Sequence, residues 1–251
     1  MPSKEPLVSI IIATHNVGNL IEKTLLSIFN QSYKKFEIII IDAVSNDLTL
    51  SYIEKYKSRI SYLISEPDKG IYDAWNKGLE KAKGEWIAFL GAGDEYLPDA
   101  LLNYFNLLAR SHYSVEFISS TINIVDRKGE FISVKGKPWT WPKFLESMMC
   151  THVGSLHSRR LFEKYGFFDP SYKIAGDYEF LLRAGDQLKT AFLPVITINM
   201  LNGGVSTSPM VLLEDRRLKI STGKKAIWKA DIEFAKNWLK QLARRTIEFR
   251  F

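Results

Sequence analysis

Two stretches, Val8-Ser-Ile-Ile-Ile-Ala-Thr14 and Phe36-Glu-Ile-Ile-Ile-Ile-Asp42, are apolar and largely β-branched, and each ends on a polar residue. A strand without polar alternation has no solvent face, so both belong in a sheet covered by helices on both sides. The segment between them supplies one cover: Leu20, Ile21, Thr24, Leu25 and Ile28 recur at helical spacing, with Asn19 placed as an N-cap. After Asp42, Ser45-Asn-Asp-Leu-Thr49 reads as a turn and cap into a second helix through about Lys57. Ser61–Ser65 is expected as a third strand and Ile71–Lys83 as a third helix closed by Gly84. Trp86–Leu90 follows as a fourth strand and Pro98–Arg110 as a fourth helix with proline early in it. Strands alternating with helices predict an α/β fold, a mostly parallel sheet flanked by helices.

Regularity weakens past residue 111. Val115–Thr121 and Phe131–Val134 are expected as strands around the turn Asp126-Arg-Lys-Gly129, and Pro138-Trp-Thr-Trp-Pro142 as a loop. No repeat or flexible linker interrupts the chain, so 1–215 is expected as one domain with halves 1–110 and 111–215, followed by a helical extension, 216–251. With 251 residues, 46% of them hydrophobic, a sizeable core is available. The single cysteine, Cys150, excludes an internal disulfide and a thiolate metal cluster. No apolar run approaches the roughly 18–20 residues of a transmembrane helix, and no secretory segment precedes the first strand, so a cytoplasmic location is expected. The net charge of +6 is concentrated in 216–251, where eleven Lys and Arg face only Asp231, Glu233 and Glu248.

In open α/β sheets, ligands bind beyond the carboxyl ends of the strands. The residues at those ends are Thr14-His-Asn16, Asp42, Glu66-Pro-Asp68 and Asp94, which converge on one edge if the strands are parallel. Any one of them alone is ordinarily a turn residue or a cap; four successive strand ends point to a site. Gly-x-Gly-x-x-Gly does not follow the first strand and no Gly-Lys-Ser/Thr loop is present, which argues against a dinucleotide fold and a phosphate-loop NTPase.

Taken together, Val8–Asn16, Asn30-Gln-Ser-Tyr33 with Glu37–Asp42, and Ser65-Glu-Pro-Asp-Lys-Gly-Ile-Tyr-Asp-Ala-Trp-Asn-Lys-Gly78 resemble the family 2 glycosyltransferases, in a variant typical of polysaccharide biosynthesis. The resemblance is dense over 8–94 and returns at 151–206. It implies the Rossmann-like nucleotide-binding A-type fold and transfer of a sugar from a nucleotide-sugar donor, with inversion, to a saccharide or lipid-linked acceptor. By the same resemblance, Asp42 accepts from the base, and Ala13, Thr14 and Asn16 line its pocket. Asp68, Lys69, Asp73 and Lys77 lie near the ribose or pyrophosphate, although both lysines also suit a solvated helix face. Asp94 matches the last position of the family's Asp-x-Asp metal motif for Mg²⁺ or Mn²⁺, with Gly93 beside it on the nucleotide side. Gly91 and Gly93 stand where carboxylates often do, so a cation would need oxygens from the diphosphate and water; Asp94 as cap of the next helix is the alternative.

The block Ile174-Ala-Gly-Asp-Tyr-Glu-Phe-Leu-Leu-Arg183 places Asp177 in the first turn of an apolar helix. The resemblance makes it the catalytic base, a role that needs a carboxylate near the acceptor hydroxyl; Glu179 is the rival, and a favourable helix-dipole position is the non-catalytic alternative. His152, in Thr151-His-Val-Gly-Ser-Leu-His157, corresponds to a histidine by the donor or acceptor pocket, or else is structural. Asn202-Gly-Gly-Val-Ser206 resembles a loop that closes on the nucleotide, or is a plain turn. A catalytically impaired nucleotide-sugar or membrane-surface binder is the alternative function. In 216–251, Ile220, Ala226, Ile227, Ala230, Phe234, Trp238, Leu239 and Leu242 supply an apolar side among cations, suited to a peripheral position on an anionic membrane or to packing on protein. A homo-oligomer is compatible with the latter. A nucleic-acid partner is not expected, since no recognisable module accompanies the charge.

Overall fold

The computed structural model describes residues 6–111, 114–203 and 210–248, with side chains as far as Lys240. In its first half, strands β1 (Val8–Thr14), β2 (Phe36–Asp42), β3 (Tyr62–Ser65) and β4 (Trp86–Gly91) alternate with helices α1 (Leu20–Phe29), α2 (Thr49–Glu54) and α3 (Ile71–Lys81). A two-residue strand, β5 (Glu95–Tyr96), and helix α4 (Ala100–Arg110) close that half. The second half contains β6 (Phe117–Val125), β7 (Phe131–Lys135), α5 (Trp141–Phe144), β8 (Ser155–Ser158), α6 (Arg159–Tyr165), α7 (Gly176–Ala184) and β9 (Thr190–Leu201). Helices α8 (Met210–Ser221) and α9 (Ile227–Glu248) follow.

All strands join one sheet in the order β3-β2-β1-β4-β8-β6-β9-β5, with β7 also on β6. The first four are mutually parallel, and Thr14, Asp42 and Ser65 fall on one level of the register. Beyond β4 the sheet is mixed: β8 runs antiparallel to β4 and β6, whereas β9 is parallel to β6. The β6–β9 register slips between Ser120–Leu193 and Thr121–Ile196, where Pro194 has no N–H to give to a ladder.

The β-branched runs are buried on both faces, as their composition requires. Ile10, Ile12, Ile38 and Ile40 pack with Leu25, Ile28 and Leu101 in one core. Ile11, Ile39 and Ile41 pack with Trp75, Leu79 and Phe89 in the other. Pleating sends alternate side chains to opposite faces, so one strand feeds two cores.

Several boundaries differ from expectation for identifiable reasons. Asn19 sits at the start of α1 but its side chain makes no cap bond; Thr49 Oγ1 instead accepts from the N–H of Val17 and of Gly18, both at 2.9 Å. The second helix ends at Glu54 and continues only as a 3₁₀ turn, Lys57–Arg59. Helix α3 stops at Lys81 because Ala82 turns extended, so Gly84 is not its cap. A Cβ at Gly84 would lie 2.5 Å from Ser9 N and 2.8 Å from Leu7 O, so close backbone approach is what demands glycine there. Helix α4 begins at Ala100, after a left-handed Asp99. Within Pro138–Pro142, Trp141 already opens the short α5.

Helix α9 turns Ala230 inward, with Glu233, Phe234 and Asn237 half-buried. Ile227, Trp228, Ile232, Trp238 and Leu239 are exposed, as are Lys229, Lys236 and Lys240. The apolar side read from the sequence is thus divided between the protein and solvent, and the side chain of Leu242 lies outside the described residues. Among the described residues no helix is long and apolar enough to cross a membrane.

Candidate active site

The level ends of β1, β2 and β3 converge on Asp42. Its Oδ1 accepts from Thr14 Oγ1 (2.9 Å) and Ser45 Oγ (2.5 Å); its Oδ2 accepts from Ser45 N (2.9 Å) and Ser65 Oγ (2.6 Å). Burial alone would raise its pKa, but the bonds from Ser45, Ser65 and Thr14 outweigh that and hold the carboxyl below its ordinary value. Asp42 is fully buried and its acceptor positions are filled, so in this arrangement it pins three strand ends and leaves outward contact to the hydroxyls around it. Ala13 is half-buried next to it and Asn16 is exposed. Asn16 is left-handed (φ 50°), its N–H bonds to Ser45 Oγ, and its Oδ1 accepts from Asn46 N, stitching the first two loops together.

The segment after β3 is held by its own carboxylates. Asp68 Oδ1 accepts from Gly70 N (2.8 Å) and Asp73 Oδ2 from Lys69 N (2.9 Å). Lys77 donates to Pro67 O (2.7 Å) and pairs with Glu66 at 2.9 Å, so its charge is already offset, whereas Lys69 is exposed. Lys173 donates to Lys69 O, bringing the turn at Lys69-Gly70 against the start of α7.

Asp94 closes the turn after β4. Gly91 N donates to its Oδ2 (3.1 Å) and Leu201 N to its Oδ1 (3.0 Å), tying β4 to the end of β9. It is 6% exposed, and burial raises its pKa to about 6. Gly93 adopts φ +99°, and a Cβ there would stand 2.8 Å from Leu201 Cδ2; at Gly91 it would stand 3.0 Å from Asp94 Oδ2. A side chain at either glycine would make its neighbour shift, Gly93 also being held at positive φ, and Ala92 between them offers no side-chain oxygen. Among the described residues no three His, Cys, Asp or Glu side chains cluster as a metal site. What remains fits a cation in one way: each Asp94 oxygen has used one acceptor position, and a buried, underneutralised carboxylate favours an arriving positive charge.

Asp177, half-buried in the first turn of α7, accepts from Tyr72 Oη at 3.0 Å, and the same hydroxyl lies 2.7 Å from Ile174 O. Burial raises its pKa to about 6, with Glu214 adding to the rise, while bonds to Tyr178 N–H and Tyr72 oppose it. Glu214, on α8, accepts from three successive N–H groups, those of Lys173, Ile174 and Ala175, and so fixes the approach to α7. Glu179 faces elsewhere. It is buried, paired with Arg183 at 2.5 Å, and accepts from Thr222 Oγ1 at 2.8 Å, which makes it a tie between α7 and the residues after α8.

His152 is buried between the rings of Trp75 (4.5 Å between centroids) and Phe89 (4.8 Å), with His157 5.0 Å away. Neither ring nitrogen of His152 has a hydrogen-bond partner among the described residues. Burial, and then His157, lowers the pKa of His152, and burial takes His157 to about 3, so both are neutral. His152 thus lies in an aromatic core beneath the site. A cavity of about 450 Å³ opens over it, lined on one side by Asp177 and on others by Met148, Met200 and residues of α8 and α9. In Asn202–Ser206, the stretch from Gly204 lies outside the described residues.

Sequence reasoning did not single out Tyr72 or Glu214, although Tyr72 stands inside the quoted Lys69-Gly-Ile-Tyr-Asp73 stretch. Their roles depend on partners 105 and about 40 residues away, which no local pattern marks.

A parallel α/β half with carboxylates at its strand ends, and a further half-buried carboxylate lining an open cavity, make this an α/β protein with a candidate ligand site. The family model for glycosyl transferase family 2 matches residues 9–166, and the chain belongs to that family. It is similar to a PGL/p-HBAD biosynthesis glycosyltransferase of Mycobacterium bovis, 27% identical over 224 residues and covering 86% of each chain. Its fold matches that of Staphylococcus aureus TarS 1–349, solved with UDP-GlcNAc, with a TM-score of 0.68 at 18% identity over 92% of this chain and 71% of that one. It also matches the mannosyltransferase PcManGT of Pyrobaculum calidifontis, solved with GDP-Man and Mn²⁺, with a TM-score of 0.64 at 18% identity over 93% and 71%. The architecture is the glycosyltransferase A-type fold, and the protein is a glycosyltransferase.

Proposed function

We propose that the protein is an inverting glycosyltransferase that takes a sugar from a nucleotide-sugar donor to an acceptor hydroxyl in the assembly of a bacterial surface glycan. The observation that carries this reading is Asp177: a half-buried carboxylate with a pKa raised to about 6, on the wall of a cavity and hydrogen-bonded to Tyr72 of the strand-end segment. In this reading residues 1–110 form the donor half, 111–215 the acceptor half and 216–251 an extension. The hydroxyls around Asp42 and the loops at Ala13, Thr14 and Asn16 receive the nucleoside, and the 68–73 turn with Lys69 faces the diphosphate. The nucleotide-sugars and Mn²⁺ bound in the related structures support the donor class and a divalent cation.

Asp177 removes the proton from the acceptor hydroxyl as its oxygen attacks the anomeric carbon from the face opposite the diphosphate. The bond from that carbon to the diphosphate breaks, and its electron pair leaves with the nucleotide. Asp94 would hold a Mg²⁺ or Mn²⁺ ion, which would supply charge compensation for the departing diphosphate. Tyr72 holds the base in position, and Glu214 fixes the loop that carries it.

The exposed apolar face of α9, with Lys229, Lys236 and Lys240 alongside, supports a peripheral position on an anionic membrane, where a lipid-linked acceptor would be met.

A screen of UDP-, GDP- and dTDP-sugars by thermal shift, with and without Mn²⁺, tests the reading. One nucleotide class should raise the melting temperature, more so with Mn²⁺, and its sugar should appear on an acceptor with inverted anomeric configuration by NMR. Nucleotide binding without transfer or hydrolysis above the uncatalysed rate would instead support a catalytically impaired binder.

A further inference from the structure

The cavity beside Asp177 differs in character from the strand-end site. Most of its wall is carbon, contributed by Met148, Val153, Ile174, Met200, Val211 and Leu212. Besides Asp177, several of its ionisable groups are neutral or already engaged, while Lys135 stands exposed at its edge. Asp215 pairs with Lys219 at 2.8 Å, and Lys219 also donates to Glu146 O and pairs with Glu233. Burial pushes the Cys150 thiol up to about 12, so it stays neutral. Tyr178 gives its hydroxyl hydrogen to Phe144 O. A guest in this space therefore meets mainly hydrocarbon, with the carboxylate of Asp177 and a few polar groups, Ser147, Thr151 and Asn237 among them, set into it.

A bare saccharide suits such walls less well, because most of its buried hydroxyls would give up water and face carbon. An alkyl or aryl group suits them well, and about 450 Å³ is within the range that holds a ligand of drug size. We infer that the cavity receives the apolar part of an amphiphilic acceptor, an alkyl or aryl group within about one sugar ring of the hydroxyl presented to Asp177. This rests on the glycosyltransferase reading above and narrows its acceptor from any saccharide to one bearing such a group.

Matched binding measurements on the full-length protein test it, with n-octyl and methyl β-D-glucopyranoside as probes below the micelle concentration. The pair shares one sugar and differs by seven methylenes, so sugar mismatch affects both alike. Burial of even part of the chain should make the octyl probe roughly tenfold tighter or more. Leu212→Asn, on the wall, should bring the ratio close to one; Val153→Asn, on the wall in the turn before β8, serves if the first variant fails to fold by circular dichroism. Leu213→Asn, exposed on the same helix, should leave the ratio unchanged. A ratio near one in the unmodified protein, with a nucleotide-sugar still raising its melting temperature, overturns the inference and leaves the enzyme reading intact. A high ratio that survives both wall variants also overturns it, because the chain then sits elsewhere, such as on α9. If no nucleotide binds, the enzyme reading itself fails and the acceptor assignment falls with it, whatever the probes do.

Discussion

A carboxylate taken out of water keeps its proton to a higher pH, and burial does this to Asp177, to about 6, against the opposing bond from Tyr72. The ionised form is then a stronger base, and it also costs the folded state stability. The folded pKa lies above the unfolded value of 3.8, so the cost is fully present above about pH 6 and fades as pH falls toward 4. Asp177→Asn should therefore lose turnover by roughly 10²–10⁴-fold, with donor affinity little changed. The same variant should melt a few degrees higher than the native protein at pH 8, and that advantage should shrink as pH drops below 6. Activity of the unmodified enzyme should fall as pH is lowered through about 6. Melting curves and rates from pH 5 to 8 check all of this, and a pH-independent rate with no gain in stability would remove Asp177 as base. At this scale the carboxylates were legible in the sequence, since Asp42, Asp94 and Asp177 each stand where a strand ends or a helix begins. Their environments were not. Nothing local distinguishes Asp42, saturated by Thr14, Ser45 and Ser65, from Asp94, which has two backbone donors and a raised pKa.

Helix α7 carries two acidic residues in its first turn, and packing separates their roles. Asp177 faces the cavity, while Glu179 is clamped by Arg183 and Thr222. Glu179→Gln keeps the shape and removes the ion pair, so the protein should lose about 1–3 kcal/mol of stability, read by urea unfolding. Turnover of the folded fraction should stay within about twofold; a collapse of turnover at unchanged stability would make Glu179 the base. Element recognition followed the physics of burial. The strands of the first half were legible because uninterrupted Ile and Val runs have few other homes. The short β8, with Ser155, His157 and Ser158 among its four residues, and β9, broken by Pro194, lack that pattern and gain their pairing from β4, β5 and β6.

At the scale of the molecule, the α/β class followed from alternation, but the switch to a mixed sheet beyond β4 depends on pairings between residues far apart in sequence, such as Ala88 with Leu156 and Ser119 with Phe192. The extension shows the same limit: composition revealed its charge, and only packing shows that Ala230 faces inward while Trp228 and Leu239 face out. Anionic vesicles should sediment the protein at low salt, and binding should weaken as salt rises. Replacing Lys229, Lys236 and Lys240 together by Glu should abolish it, each cation contributing about 1 kcal/mol near the surface. Substitution is the better test than deletion from 216, because Lys219 and Thr222 hold Asp215 and Glu179. Failure to sediment at low salt by folded protein would leave the exposed face to another partner.

Tyr72 owns a single hydroxyl hydrogen, and two oxygens, Ile174 O and Asp177 Oδ1, stand within reach of it. Whichever oxygen receives it, the other goes without. Turned to the carbonyl, the phenol leaves the carboxylate more avid for a proton; turned to the carboxylate, it quiets it. The ring is rooted in α3, one turn past Lys69-Gly70, while its listener lies 105 residues further along the chain. A small rotation of a phenol on α3 thus changes the basicity of a carboxylate on α7, with no helix having to move.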